Sequence, residues 1–105
     1  MVRKINQLEP TGGVVLLVDD DLDYLAIHRR LLEREGHEVV CAKSGSEALA
    51  IAQDRHVDLM LLDYFMPGMT GEEVVEELRK NNSKIQVVLQ TGYASENPPR
   101  DLLKR

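Results

Sequence analysis

Carboxylate side chains follow two apolar segments of this chain. Asp63 ends the apolar run at 57–62, and an acidic triplet at 19–21 ends the run at 14–18. If both runs are strands of one open parallel sheet, their carboxyl ends lie at the edge where such sheets bind ligands. Carboxylates collected at that edge are suited to holding a cation and positioning a phosphoryl group.

Repulsion between these acids argues for a bound cation. Two carboxylates about 4 Å apart repel by about 4 kcal/mol at an effective dielectric constant of about 20, a large fraction of the stability of a small domain. Magnesium takes oxygen ligands and commonly binds one or two carboxylates together with phosphate oxygens. The sequence therefore predicts a site formed by Asp19, Asp20, Asp63 and Thr91, each at the end of a predicted strand.

Each acid also has a simple structural interpretation. Asp20 or Asp21 is suited to cap the next helix, and Asp63 is suited to end a strand at a turn. We expect Asp21 to be a helix cap. For Asp19, Asp20 and Asp63 together, the coincidence at one sheet edge favours a functional site.

Other motifs fit the same acids poorly. A calcium loop starting at Asp19 requires glycine at its sixth position and glutamate at its twelfth, where Tyr24 and Arg30 stand. A nucleotide-binding glycine loop follows a strand, whereas the glycines at 12 and 13 precede the first one. A haloacid-dehalogenase-like phosphatase has threonine or valine where Asp23 stands. A different metal-dependent phosphatase is a further hypothesis for these acids.

Short apolar runs alternate with helical periodicity along the chain, which predicts an α/β fold with a doubly wound parallel sheet. Residues 1–13 are expected to form a tail or linker, and 14–105 one domain. The predicted strands are 14–18, 38–42, 58–62 and 85–89. The predicted helices are 22–35 ended by Gly36, one opening at a Ser44–Glu47 capping box, one from a Thr70–Glu73 capping box to 81–82, and a short last helix carrying Leu102 and Leu103.

Composition excludes several classes of protein. The net charge of −5 without a clustered basic stripe argues against direct nucleic-acid binding. No run approaches the roughly 18 apolar residues of a membrane span, and no signal peptide is evident, so we expect no membrane partner and a cytoplasmic location. Cys41 is the single cysteine and is expected to pack. The histidines share no spacing and are expected to be structural or surface residues: His28, His37 and His56.

Three stretches together resemble the receiver domain of two-component response regulators. They are 14–21 (VVLLVDDD), 61–71 (LLDYFMPGMTG) and 89–93 (LQTGY), and the similarity extends from 14 to about 103. The resemblance implies a flavodoxin-like sheet with strand order 2-1-3-4. It also implies a phosphoacceptor signalling module whose donor is a histidine kinase or histidine phosphotransfer protein. Such a module assists its own modification and is not an enzyme with turnover.

The resemblance assigns roles to single residues. Asp63 is expected to accept the phosphoryl group as an aspartyl phosphate. Asp20, Asp63 and the backbone carbonyl of Phe65 are expected to bind Mg²⁺, with Asp19 acting mainly through water. Thr91 is expected to donate its hydroxyl to the phosphoryl group and to move inward as the conformational switch.

The family's fifth strand, which ends in Lys-Pro, and its fifth helix have no expected counterpart after Leu103. Strand 4 would then form an open sheet edge, and such edges pair with other chains. We therefore expect self-association through strand 4 or through an exchanged C-terminal element; the alternative is that the chain is an excised piece of a longer protein. The second hypothesis for function is a non-phosphorylated interaction module that keeps the receiver shape without the switch.

Overall fold

The computed structural model describes residues 13–81 and 83–90, in which strands and helices alternate along the chain. The elements are β1 (Val14–Val18), α1 (Leu22–Arg34), β2 (Glu38–Ala42), α2 (Gly45–Asp54), β3 (Leu59–Asp63), α3 (Gly71–Lys80) and β4 (Gln86–Gln90). The strands form one sheet in the order β2-β1-β3-β4, and all three pairs are parallel. The predicted fold class and strand order are confirmed.

Two strands are shifted from the prediction by one residue. β3 and β4 begin and end one position later than predicted, so that Asp63 is the last residue of β3. The reason is the register, in which Asp63 pairs with Gln90. The backbone N–H of Tyr64 still donates to the Gln90 carbonyl at 2.8 Å, so the ladder continues through Asp63.

Alternate residues of the central strands face opposite layers of helices. The face toward α1 is lined by Val15, Leu17, Leu59 and Leu61, which pack against Leu25 and Leu32. The opposite face is lined by Leu16, Val18, Met60 and Leu62, which pack with Ala48, Val74 and Leu78 of α2 and α3. β1 is apolar at all of its positions because helices cover both faces. Cys41 packs against the α1 layer, as expected.

The helix caps largely follow the prediction. Asp21 caps α1, and Thr70 caps α3 within a complete capping box. Ser44 caps α2 because its side chain accepts a hydrogen bond from the Glu47 amide, but the Glu47 side chain does not bind the amide that the predicted capping box assigns to it. Glu47 accepts a hydrogen bond from the Lys43 amide at 2.7 Å, so it binds the amide one residue before the cap.

Residues 1–12 of the predicted tail lie outside the described residues, as do the last helix and Thr91. Within the described ranges, no helix is both long enough and apolar enough to cross a lipid bilayer.

Candidate functional site

The carboxyl ends of β1 and β3 bring three carboxylates together. Asp19 and Asp20 directly follow β1, and Asp63 ends β3. One carboxylate oxygen of each residue lies within 4.8 Å of the others. Opposite ligands of an octahedral Mg²⁺ are about 4.2 Å apart, so oxygens at the 4.8 Å limit would have to move together by about 0.6 Å to share one coordination shell. The structure thus brings together the acids that the sequence singled out.

Strand alternation explains why two of these side chains converge. Leu17 and Leu61 face α1, and side chains two residues apart on a strand share a face. Asp63 therefore faces α1, and Asp19 follows the same alternation at the end of β1. The backbone N–H of Asp19 donates to the Ala42 carbonyl at 3.1 Å, which extends the ladder past β1.

The electrostatics of Asp63 disfavour its charged form. Burial raises the pKa of Asp63 to about 6, and the neighbouring charges of Asp19 and, to a smaller extent, Asp20 act in the same direction. The Phe65 amide opposes this shift by donating to Oδ1 of Asp63 at 3.2 Å. Because its negative charge is costly here, Asp63 gains from a nearby cation.

Asp19 shows the same trend. Burial raises the pKa of Asp19, although the Asp21 amide donates to its Oδ1 at 2.9 Å and so favours the charged form. The charges of Asp20 and Asp21 add to the rise. Two partly buried carboxylates of like charge therefore face one another across the edge of the sheet.

This donor set fits a hard divalent cation. All three side chains offer oxygen, the ligand atom that Mg²⁺ prefers, and Asp20 is exposed, which leaves room for the waters that this ion retains. Phe65 is placed two residues after Asp63 with its amide on the carboxylate. The metal-binding role of its carbonyl stays a prediction.

Backbone contacts fix the segment that follows Asp63. The Gly71 N–H donates to the Tyr64 carbonyl at 3.0 Å, which closes the segment onto the start of α3. A Cβ atom at Gly71 would lie 3.1 Å from the Tyr64 Cα and 3.3 Å from the Asp63 carbonyl oxygen. It would also lie 2.8 Å from Leu89, so this position requires glycine for close backbone approach.

Sequence reasoning missed two residues beside the site, Tyr24 and Gln90. The Tyr24 hydroxyl donates to Oε1 of Gln90. Burial raises the pKa of Tyr24 to about 12, with further contributions from the charges of Asp19 and Asp63, so the hydroxyl keeps its proton at neutral pH. Alternation along β4 was sufficient to place Gln90 at this edge. Its contact with Tyr24, 66 positions away, had no sequence signal.

The remaining predicted site residue is Thr91, which follows Gln90 in the sequence and lies outside the described residues. The histidines hold other positions. His28 donates from Nδ1 to the Tyr24 carbonyl at 3.0 Å, His56 contacts Asp58 at 2.7 Å, and His37 is buried. In the described part of the chain, the metal-ligand cluster consists of aspartates alone.

Comparison with known proteins defines the class. The family model described as "Response regulator receiver domain" matches residues 15–105, and the chain belongs to this family. The chain is 40% identical over 82 residues to the transcriptional regulatory protein CpxR of Klebsiella pneumoniae, covering 78% of this chain and 34% of that protein. It is 34% identical over 88 residues to the CAI-1 autoinducer sensor kinase/phosphatase CqsS of Vibrio cholerae, covering 84% of this chain and 13% of that protein. The chain thus spans about a third or less of these relatives.

Solved structures agree with this assignment. The response regulator TrrA of Thermotoga maritima, in complex with Mg(2+)-BeF, has a TM-score of 0.73 and 35% identity over 79% of this chain and 72% of that one. A structure of the histidine kinase ThkA in complex with TrrA matches with a TM-score of 0.73 and 33% identity, covering 83% of this chain and 75% of that one. The chain is therefore a receiver domain of the two-component signalling systems.

Proposed function

We propose that Asp63 accepts a phosphoryl group from a phosphohistidine in a magnesium-dependent reaction of a cytoplasmic two-component phosphorelay. The observation that supports this proposal is the convergence of Asp63 with Asp19 and Asp20 within 4.8 Å in a receiver domain. We assign the activity to residues 14–105, with 1–13 as a tail. The donor is a histidine kinase or a histidine phosphotransfer protein.

The proposed step is an in-line transfer. A carboxylate oxygen of Asp63 forms a bond to phosphorus while the bond between phosphorus and the donor imidazole nitrogen breaks. The electron pair of that bond stays on the imidazole, and the product is an aspartyl phosphate. Such transfers depend on positioning and on neutralising charge more than on a strong base.

The residues around Asp63 supply the positioning. The Phe65 amide orients the Asp63 carboxylate, and the Gly71 contact holds the segment between β3 and α3 against the sheet. Bound by Asp19, Asp20, Asp63 and the Phe65 carbonyl, Mg²⁺ would neutralise charge on the phosphoryl oxygens. Thr91 is proposed to donate its hydroxyl to the phosphoryl group and to act as the switch.

Two structures that contain the relative TrrA support the chemistry and the partner. TrrA was crystallised with Mg(2+)-BeF, and BeF is a mimic of a phosphoryl group. TrrA also forms a complex with a histidine kinase. By similarity, we infer a magnesium site and a kinase partner for this chain as well.

A labelling experiment with a matched control tests the proposal. The chain is incubated with acetyl phosphate and Mg²⁺, and the phosphorylated fraction is measured by intact mass. We expect one phosphoryl group per chain in the wild type and in Asp54→Asn, which changes an exposed aspartate at the end of α2 in the same way. We expect none in Asp63→Asn.

The alternatives predict other results. A non-phosphorylated interaction module would show no labelling and no amide shifts around Thr91 when beryllofluoride and Mg²⁺ are added. A metal-dependent phosphatase would hydrolyse a phosphomonoester over many turnovers and would depend on Asp19 more than on Asp63. Either result would contradict the phosphoacceptor proposal.

A further inference from the structure

Gln90 lies beside the acceptor carboxylate on the same face of the sheet. Asp63 and Gln90 are paired in the register of β3 and β4. Leu61 and Val88, two residues earlier on each strand, belong to the layer that packs against α1. Side chains two residues apart share a face, and neighbouring strands lie about 4.8 Å apart. The Asp63 and Gln90 side chains therefore leave adjacent strands toward α1, side by side.

Tyr24 reaches this pair from α1. Its ring stacks on His28 with centroids 3.8 Å apart and an interplanar angle of 18°, and the His28 Nδ1 donates to the Tyr24 carbonyl. The hydroxyl donates to Oε1 of Gln90. The ring is thus held on the helix, and its hydroxyl holds the carboxamide of Gln90 toward α1.

A glutamine carboxamide beside a phosphoryl group has a known chemical use, since it can orient the attacking water in phosphoryl transfer. In hydrolysis of phosphorylated Asp63, the oxygen of water forms a bond to phosphorus, and the bond between phosphorus and the carboxylate oxygen breaks. The electron pair returns to the carboxylate, and the protons of the water leave with inorganic phosphate or pass to solvent. A free carboxamide on β4 would be well placed to orient that water.

We propose that Tyr24 and Gln90 form a positioning pair that prolongs the phosphorylated state, because the Tyr24 hydroxyl engages Oε1 of Gln90, the oxygen that would otherwise accept a hydrogen bond from the attacking water. This inference rests on the proposed phosphorylation of Asp63. Neither residue is assigned a direct part in the transfer itself.

The test compares the rate at which the phosphoryl group is lost from the phosphorylated wild type and four variants. Tyr24→Phe keeps the ring and its stacking on His28 but removes the donor, and we expect hydrolysis to become about fivefold faster, as for one neutral hydrogen bond lost. Gln90→Met keeps the length of the side chain without the carboxamide, and we expect no acceleration. In the double variant, the acceleration caused by Tyr24→Phe should disappear.

Gln86→Met is the matched control, because Gln86 lies at the opposite end of the same strand and is exposed. We expect its hydrolysis rate to equal that of the wild type. Melting temperatures are measured for all chains, since a purely structural role of Tyr24 would lower stability without making the rate depend on Gln90.

The outcomes separate this inference from the proposal on which it rests. A wild-type chain that takes no phosphoryl group contradicts both. Normal phosphorylation with an unchanged hydrolysis rate in Tyr24→Phe contradicts the positioning pair alone. So does an acceleration that persists in the double variant, because Tyr24 would then act without Gln90.

Discussion

Two aspartates at opposite ends of the β3 segment show how strongly position determines the state of a carboxylate. Asp58, before the strand, accepts from the Val14 amide at 2.8 Å and contacts His56, and the Val14 hydrogen bond lowers its pKa. Asp63, at the strand's end, is more buried and faces other acids, and its pKa rises to about 6. The same type of side chain stabilises the fold at one end and carries an unfavourable charge at the other.

The difference follows from the direction of the strands. At the amino end, the N–H of Val14, the first residue of β1, donates to the Asp58 carboxylate. At the carboxyl end, β1 and β3 place acids at the same edge, where burial, followed by repulsion from Asp19, is the main influence on the pKa of Asp63. A functional site here therefore has an energetic cost that a cation can offset.

Magnesium should affect the two ends very unequally. At a concentration about 100 times the dissociation constant, binding to the folded state should stabilise the protein by about 2.7 kcal/mol. We expect Asp20→Ala to reduce this response, measured as a rise in melting temperature, because it removes one of the clustered ligands. Asp58→Ala should leave the response to magnesium intact but lower the melting temperature measured without magnesium. Absence of any magnesium response in the wild type would contradict the proposed metal site.

Phe65 offers a way to test how the carboxyl end of β3 is shielded from water. It is 38% exposed, and its amide bonds the Asp63 carboxylate. We expect its side chain to restrict attacking water, together with that of Tyr93, which lies outside the described residues. Phe65→Asn should speed hydrolysis of the aspartyl phosphate by up to about tenfold, equivalent to about 1.4 kcal/mol in the barrier, as measured by the decay of the phosphorylated mass. A half-life equal to that of the wild type would argue against this role.

Matched substitutions should change stability with opposite signs. Without metal at neutral pH, Asp63→Asn should raise the free energy of unfolding because it removes a charge held near Asp19. Asp58→Asn should lower it because the charge-assisted bond to Val14 is weakened. Each effect should be below about 1 kcal/mol, since both carboxylates are partly exposed to water. Urea denaturation measures both changes in the free energy of unfolding. Two changes of the same sign would contradict this prediction.

The pH dependence should separate the two ends further. Because the folded pKa of Asp63 is raised to about 6 from 3.8, its contribution to stability is fully present below about pH 4 and is lost as the pH rises through 6. The pKa of Asp58 is lowered, so its contribution is present above about pH 4 and is lost on further acidification. The gain from Asp63→Asn should therefore shrink from pH 8 to pH 4 in metal-free urea titrations. A gain that stays constant over this range would contradict the assignment.

Self-association is the smallest expected effect. Among the described residues, β4 pairs only with β3, and its residues are half-buried or exposed. We expect weak dimers that involve this strand or an exchanged C-terminal element, measured by sedimentation equilibrium. A Gln86→Lys variant, at the exposed first residue of β4, should weaken them without changing the magnesium response. A monomer at high concentration would contradict this prediction.

The local features of the fold could be predicted because they depend on neighbouring residues. The alternation of apolar runs and helical periodicity predicted every described strand to within one residue. The starts of helices could also be predicted, because a cap such as Asp21 or Thr70 binds amides within three residues along the chain. Glu47 is the exception. Its flexible side chain can reach the N–H groups of both Lys43 and Ser44, and it accepts a hydrogen bond from Lys43.

By itself the sequence determined that Asp19, Asp20 and Asp63 stand at strand ends, and parallel strands then bring them to one edge. Only the tertiary structure decided the state of each carboxylate, because burial and the distances between charges depend on how the elements pack. It also decided the Tyr24–Gln90 contact across 66 positions and the Asp58–Val14 contact across 44. These contacts depend on register and on the placement of α1 over the sheet, which no short stretch of sequence encodes.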